Sequence, residues 1–279
     1  LTTITIDPRQ HHSFLESAHW ILKNSGYNIK YANTRMYTDW KKKFITAHKN
    51  GGLSFIFIDG KLIMLAYLYN KALIKLCSID IIQKYKPSLI ILFTSNIDQV
   101  QNALNIPVTN WIPFPCGCSD KNSSLAQKYQ WQPSLNHKTG LLTSGRHSLR
   151  TKHRYKWFNH VAKNPNYIVR YNARLSNQQY IDSIKNTNWG LVINNEVDCR
   201  EYEHISNHHP LAITYVPKYY HIPCNPYEHY YYLKTPEDLN KLPDVDPIPY
   251  YNASKYLWEN YLRPDMATKL LINIVKKYT

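Results

Sequence analysis

Leu141-Leu-Thr-Ser-Gly-Arg-His-Ser-Leu-Arg150 is the stretch that decides how this chain should fold. An apolar strand runs into Ser144-Gly145, and a helix then opens carrying Arg146, Arg150 and Arg154. Strand, glycine turn and helix in that order is the unit from which parallel α/β sheets are assembled. Residues four apart share a helix face, so the three arginines make one stripe. A helix start offers unpaired N–H groups and partial positive charge, which suit an anion. Arg146 stands where a bidentate clamp on a phosphate belongs, and Gly145 would let a diphosphate approach the backbone closely. The plainer alternative is a solvated basic face behind an ordinary glycine turn.

The same alternation extends in both directions. Beyond the opening junction, the spacing predicts strands over 167–171, 189–193, 211–215 and 230–233, with helices over 146–163, 177–186 and 200–207 between them. A proline-rich stretch, 242–249, leads to a helical region over 253–277 that Arg263-Pro264 should kink or break. Toward the N-terminus, strands over 2–6, 27–31, 53–58, 62–68, 88–94 and 108–112 accompany helices over 13–25, 37–49, 79–85 and 97–105. Asp59-Gly60 fits a two-residue hairpin turn, since both residues tolerate positive φ. The polar run 119–136 reads as a linker. The expected domains are 1–118, a linker at 119–136, 137–250, and a C-terminal helical region at 251–279. Strands separated by helices of this length imply two α/β units with parallel sheets covered on both faces.

A second junction, Val192-Ile-Asn-Asn-Glu-Val-Asp-Cys-Arg-Glu-Tyr-Glu203, repeats the logic of the first. A carboxylate at 203 could accept from two vicinal hydroxyls, as a ribose offers, while Arg200 meets a diphosphate. The competing reading is an i, i+3 surface ion pair of little energetic worth.

The two junctions, taken with Trp189-Gly-Leu-Val-Ile193, His209-Pro-Leu-Ala-Ile-Thr214, Thr235-Pro-Glu-Asp-Leu239 and Trp111-Ile-Pro-Phe-Pro115, resemble the nucleotide-binding half of the GT-B glycosyltransferases, especially exostosin-like and spore-maturation-type members. The resemblance covers 111–239 and reaches the N-terminal half only through topology. It implies a GT-B-like fold, two Rossmann-like α/β domains facing a cleft, with the C-terminal helix crossing back. It also implies transfer from a nucleotide-sugar donor to a glycan acceptor; small size, a Lys/Asn/Tyr bias and the exostosin-like pattern together resemble a glycan xylosyltransferase, which implies UDP-xylose, inversion and an acceptor that contains fucose. The donor-binding residues would be Gly145, Arg146, Arg150, Arg200 and Glu203. One departure stands out: Asn207-His208-His209 occupies a place where the family usually has glycine or another small residue.

Inverting transfer needs a base on the acceptor side. The loop after the first strand holds Asp7, His11 and His12. Histidine has the appropriate unperturbed pKa, and Asp7 could orient it. Asp59 is the next candidate, although its turn already explains it. Arginines and a helix start can steady the departing diphosphate, so no metal and no cofactor are expected. Asp244-Val-Asp246 has a chelating spacing but sits in a proline-rich connector, where a solvated turn is the better reading. Trp40, Trp131, Tyr219, Tyr220 and Tyr230–Tyr232 could stack on sugar rings, or simply pack.

Composition narrows the classes. A net charge of +15 attracts polyanions, yet no basic-aromatic module of the nucleic-acid-binding folds is present. A basic nucleic-acid-binding α/β protein therefore stays as the competing class, and no stable nucleic-acid partner is expected. Five cysteines without Cys-x-x-Cys read as reduced thiols, neither a disulfide framework nor a zinc site. No apolar run approaches the ~20 residues of a membrane span, and no signal-peptide pattern opens the sequence. A soluble chain in the cytoplasm, or a host cytoplasm were it viral, is the expectation.

Overall fold

The computed structural model describes residues 3–6, 13–31, 52–67, 85–92, 97, 101, 106–111, 129–134, 136–144, 152–171, 177–193, 199–217 and 221–279. The chain divides into two compact units. Unit 1 comprises Leu1–Lys121, Tyr219–His221 and Arg263–Thr279; unit 2 comprises Asn122–Lys218 and Ile222–Leu262. The helices expected over 37–49, 79–85 and 97–105 lie wholly or largely outside the described residues.

Unit 1 contains β1 (Thr3–Ile6), α1 (Ser13–Lys23), β2 (Asn28–Tyr31), β3 (Gly52–Ile58), β4 (Lys61–Tyr67), β5 (Leu89–Leu92) and β6 (Val108–Thr109). Among the described residues of this unit six strands form one sheet in the order β2-β1-β3-β4-β5-β6. All run parallel except β3, which is antiparallel to both neighbours. Asp59 and Gly60 take φ of 49° and 82°, the double positive φ of a tight hairpin, and so fix the reversal between β3 and β4. Alternate residues of the strands feed opposite faces. Phe55, Met64, Ala66, Ile90 and Leu92 enter one core cluster, while their sequence neighbours Ile56, Ile63, Leu65, Leu89 and Ile91 are equally buried. A sheet buried on both sides explains why these strands read as continuous apolar runs.

Unit 2 contains β7 (Lys138–Ser144), α2 (Lys152–Ala162), β8 (Tyr167–Tyr171), α3 (Asn177–Lys185), β9 (Thr187–Val192), α4 (Cys199–Ser206), β10 (Leu211–Ile213), β11 (Tyr231–Tyr232) and α5 (Ile248–Leu257). Among the described residues its five strands are all parallel, in the order β8-β7-β9-β10-β11. One face packs Leu142, Trp189, Leu191 and Ala212 against Trp157 and Val161 of α2 and Tyr250 of α5. The other packs Leu141 against Tyr180 and Ile184 of α3.

The C-terminal region departs from expectation at its start. Helix α5 opens at Ile248, five residues ahead of the predicted onset, because Pro249 stands in its first turn, where the missing N–H costs nothing. Asp246 Oδ1 accepts from Ile248 N–H at 3.0 Å and fixes that start. The break at Arg263-Pro264 is present: a π-helical turn over Trp258–Leu262 ends α5, and α6 (Pro264–Tyr278) begins on the proline. Helix α6 belongs to unit 1 and packs against α1, so the chain does cross back. Among the described residues no helix is long and apolar enough to cross a membrane.

Candidate functional site

Strand order sets where a ligand can sit in unit 2. From β7 the chain moves outward to β8, then returns across the sheet to β9 and continues the other way to β10 and β11. The connections therefore diverge between β7 and β9, and in open parallel sheets that divergence opens a crevice beyond the carboxyl ends of the two strands. Gly140 lies opposite Trp189, and Leu142 opposite Leu191, so β7 and β9 end at nearly the same level. The two junctions singled out in the sequence follow these two strands. Gly145, Arg146 and Arg150 lie outside the described residues, as do 194–198 between β9 and α4.

On the β9 side, α4 brings Arg200 and Glu203 together. Arg200 Nη1 donates to Glu203 Oε2 at 2.5 Å, with 29% of the arginine side chain and 6% of the glutamate side chain exposed. The guanidinium also lies over the Tyr180 ring of α3, 5.1 Å from its centroid, within the range of a cation–π contact. The i, i+3 pair foreseen from the sequence thus exists, but its carboxylate is buried. Sequence reasoning gave the two residues separate ligands and missed the aromatic platform beneath the arginine. On the β7 side, Arg154 is half-buried. It shares a helix face with Trp157 and Val161, which pack into the core; at this residue the arginine stripe is not a solvated face.

The end of α4 explains the departure at 207–209. His209 N–H donates to the His204 carbonyl at 3.0 Å and His208 N–H to that of Ile205 at 2.9 Å. These are the two bonds of a Schellman ending, whose left-handed position is usually glycine. Here His208 fills it, at φ 57°. Asn207 ties the same turn to an earlier segment, its Oδ1 accepting from Tyr129 N–H at 3.0 Å.

Beneath this turn lies a buried imidazole pair. His209 Nε2 meets the Thr187 carbonyl at 3.0 Å and so must carry the proton there. Its Nδ1 is then the acceptor for His204 Nδ1–H, 2.9 Å away. Burial pushes both below the ordinary histidine value, His209 to about 3, so both are neutral at physiological pH. The His204 ring presses on Gly190 of β9 so closely that a Cβ there would come within 2.5 Å of it. A glycine inside a strand signals such an approach.

Among the acceptor-side candidates, Asp7, His11 and His12 lie outside the described residues. Asp59 is exposed in the β3–β4 turn, at the amino end of β4, the end opposite to where ligands gather in such sheets. Trp131 is fully buried, its Nε1 donating to the Thr187 carbonyl at 2.7 Å, and Tyr230 is 1% exposed. Both are packing residues, not sugar platforms, while Trp40, Tyr219 and Tyr220 lie outside the described residues. Asp238 of the Thr235–Leu239 segment accepts from the N–H groups of Lys234 and Thr235, capping a short helical turn. Cys224 is a free thiol whose pKa burial raises. Among the described residues, no group of three or more histidine, cysteine, aspartate or glutamate side chains could hold a metal.

Among solved structures, the chain is similar to a crystal structure of TarM, at 11% sequence identity and a TM-score of 0.36. The match covers 73% of this chain and 43% of TarM, so the chain spans less than half the length of that protein. No family model and no curated protein matches the chain.

Proposed function

We propose that the chain is a GT-B-type glycosyltransferase that moves a sugar from a nucleotide diphosphate donor to a hydroxyl of a glycan acceptor, with inversion and without a metal. The observation that supports this reading is topological. The two arginine-bearing junctions, 141–150 and 192–203, follow neighbouring parallel strands that flank the divergence point of the unit 2 sheet, where open α/β sheets take their ligands. In this reading Gly145, Arg146 and Arg150 receive the diphosphate at a helix start, joined by Arg200. Glu203 accepts from the ribose hydroxyls, which replace part of its contact with Arg200.

The acceptor hydroxyl gives its proton to a base after β1, His11 or His12 oriented by Asp7. Its oxygen attacks the anomeric carbon from the face opposite the diphosphate, and the C–O bond to phosphate breaks with the electron pair leaving on the diphosphate. Arginine N–H groups offset the charge that develops there. Asp59, at the far end of its sheet, is the weaker candidate for that role. At the level of the donor, size and composition resemble the xylosyltransferase that chloroviruses use on their capsid glycan. UDP-xylose and a fucose-containing acceptor are therefore the substrates proposed.

Calorimetric titration with UDP and GDP, beside a salt-dependent oligonucleotide titration, tests the reading. Saturable binding of one nucleotide, weakened about tenfold or more by Glu203→Ala or Arg200→Ala, is expected. No response to either nucleotide, with tight DNA binding and a steep salt slope, would instead establish a nucleic-acid-binding protein. Loss of transfer on adding a chelator would remove the metal-independent step.

A further inference from the structure

A cavity of about 590 Å³ opens at the other end of the unit 2 sheet, at the amino ends of β7 and β9. Its volume is in the range of small-molecule sites. Strand β7 is seven residues long, so the cavity lies roughly 20 Å from the loop that follows Ser144. It is a place separate from the crevice proposed for the donor.

Charge excludes one class of occupant at once. Among the described residues no lysine or arginine lines the cavity, in a chain that carries 34 of them. Two carboxylates do, Asp244 and Asp246, and among the described residues neither has a cationic partner. A nucleotide or other anion would meet only repulsion here.

The depths are polar but neutral. Thr139 is 8% exposed and lines the cavity. Beside it His137 Nδ1 and Asn188 Oδ1 are buried polar atoms without a hydrogen-bond partner among the described residues, while burial draws that imidazole below its ordinary value and keeps it uncharged near neutrality. Each of these groups exchanges hydrogen bonds with hydroxyls without transferring charge. The walls are prolines with Val245 and Ile248, which present C–H surface. Hydroxyl-matching groups within, C–H walls and carboxylate acceptors at the rim complement a ring that is apolar on its faces and hydroxylated on its edge.

We propose that this cavity binds one residue of a neutral saccharide, as a non-catalytic subsite remote from the transfer site. The test is titration of the full chain with the methyl glycosides of xylose, glucose, galactose and fucose, followed by NMR or calorimetry, with putrescine and UDP in parallel. At least one glycoside should saturate in the millimolar range. Thr139→Val, which keeps shape while removing the hydroxyl, and Asp244→Asn should each weaken it at least about fivefold. Neither should alter UDP binding. Three results would overturn the proposal: no glycoside saturating by roughly 50 mM, affinity unchanged in both variants, or putrescine outcompeting every glycoside. Glycoside binding without UDP binding would sustain this subsite while removing the transferase reading, so the two fail separately.

Discussion

Glu203 is a carboxylate almost removed from water, and Arg200 is what makes that burial tolerable. Fully buried pairs cost about 3–5 kcal/mol when one partner is removed. Since 29% of the arginine side chain remains in solvent, Arg200→Ala should cost less, about 2–3 kcal/mol. Adding Glu203→Gln removes the stranded charge and should recover most of the loss; urea denaturation of the single and double variants measures both. A double variant no more stable than the single would mean that the carboxylate draws its support from elsewhere. Gly190 makes a second residue-scale case. An added methyl at 2.5 Å from the His204 ring cannot be accommodated without moving β9 or α4, so Gly190→Ala should destabilise by about 1–3 kcal/mol. His204→Ala in the same chain should relieve part of that, and no relief would show that the clash lies elsewhere.

At the scale of elements, α4 and β9 are joined through groups that must stay uncharged. Protonating His209 would put two N–H groups head to head across 2.9 Å. Its folded pKa of about 3 lies below the unfolded value near 6.5, so the unfolded chain binds more protons between those limits. Stability is therefore complete above pH ~6.5 and declines as pH falls toward 3, by about 2 kcal/mol at pH 5 from this group alone. His209→Gln should flatten that acid limb in a series of Tm measurements; an unchanged slope would assign the loss to other histidines. The sequence disclosed these elements unevenly. Strand β9 was legible because its apolar run is buried on both faces, whereas the close approach that the glycine within it serves was not read. The partner was not legible, since His204 lies on the following helix and meets Gly190 only once the sheet is covered. The amino-end cavity was hidden for the same reason: Thr139, Asn188 and Asp244 come from three separate segments. Helix α5 was placed late because prolines that read as a connector serve as its first turn.

At the scale of the whole molecule, the net charge of +15 says less about binding than the chain path does. A helix distant in sequence completes unit 1: α6 buries Ala267, Leu271, Ile272, Ile274 and Val275 and packs against α1. Trp111 Nε1 adds a buried hydrogen bond to the Ala267 carbonyl at 2.6 Å. Its four larger aliphatic side chains, at about 1.5–3 kcal/mol each, supply roughly 6–12 kcal/mol, comparable to the margin of a whole domain. A chain ending at Leu262 should therefore lose unit 1, whereas unit 2 keeps every strand of its sheet. Hydrogen exchange is the appropriate measurement, because protection differs element by element. In the truncated chain the amides of β3, β4 and β5 should exchange freely, while those of β7 and β9 retain most of their protection. Unaltered protection in β3–β5 would mean that unit 1 stands without its C-terminal helix. Simultaneous loss in β7 and β9 would mean that the two sheets unfold as one cooperative body.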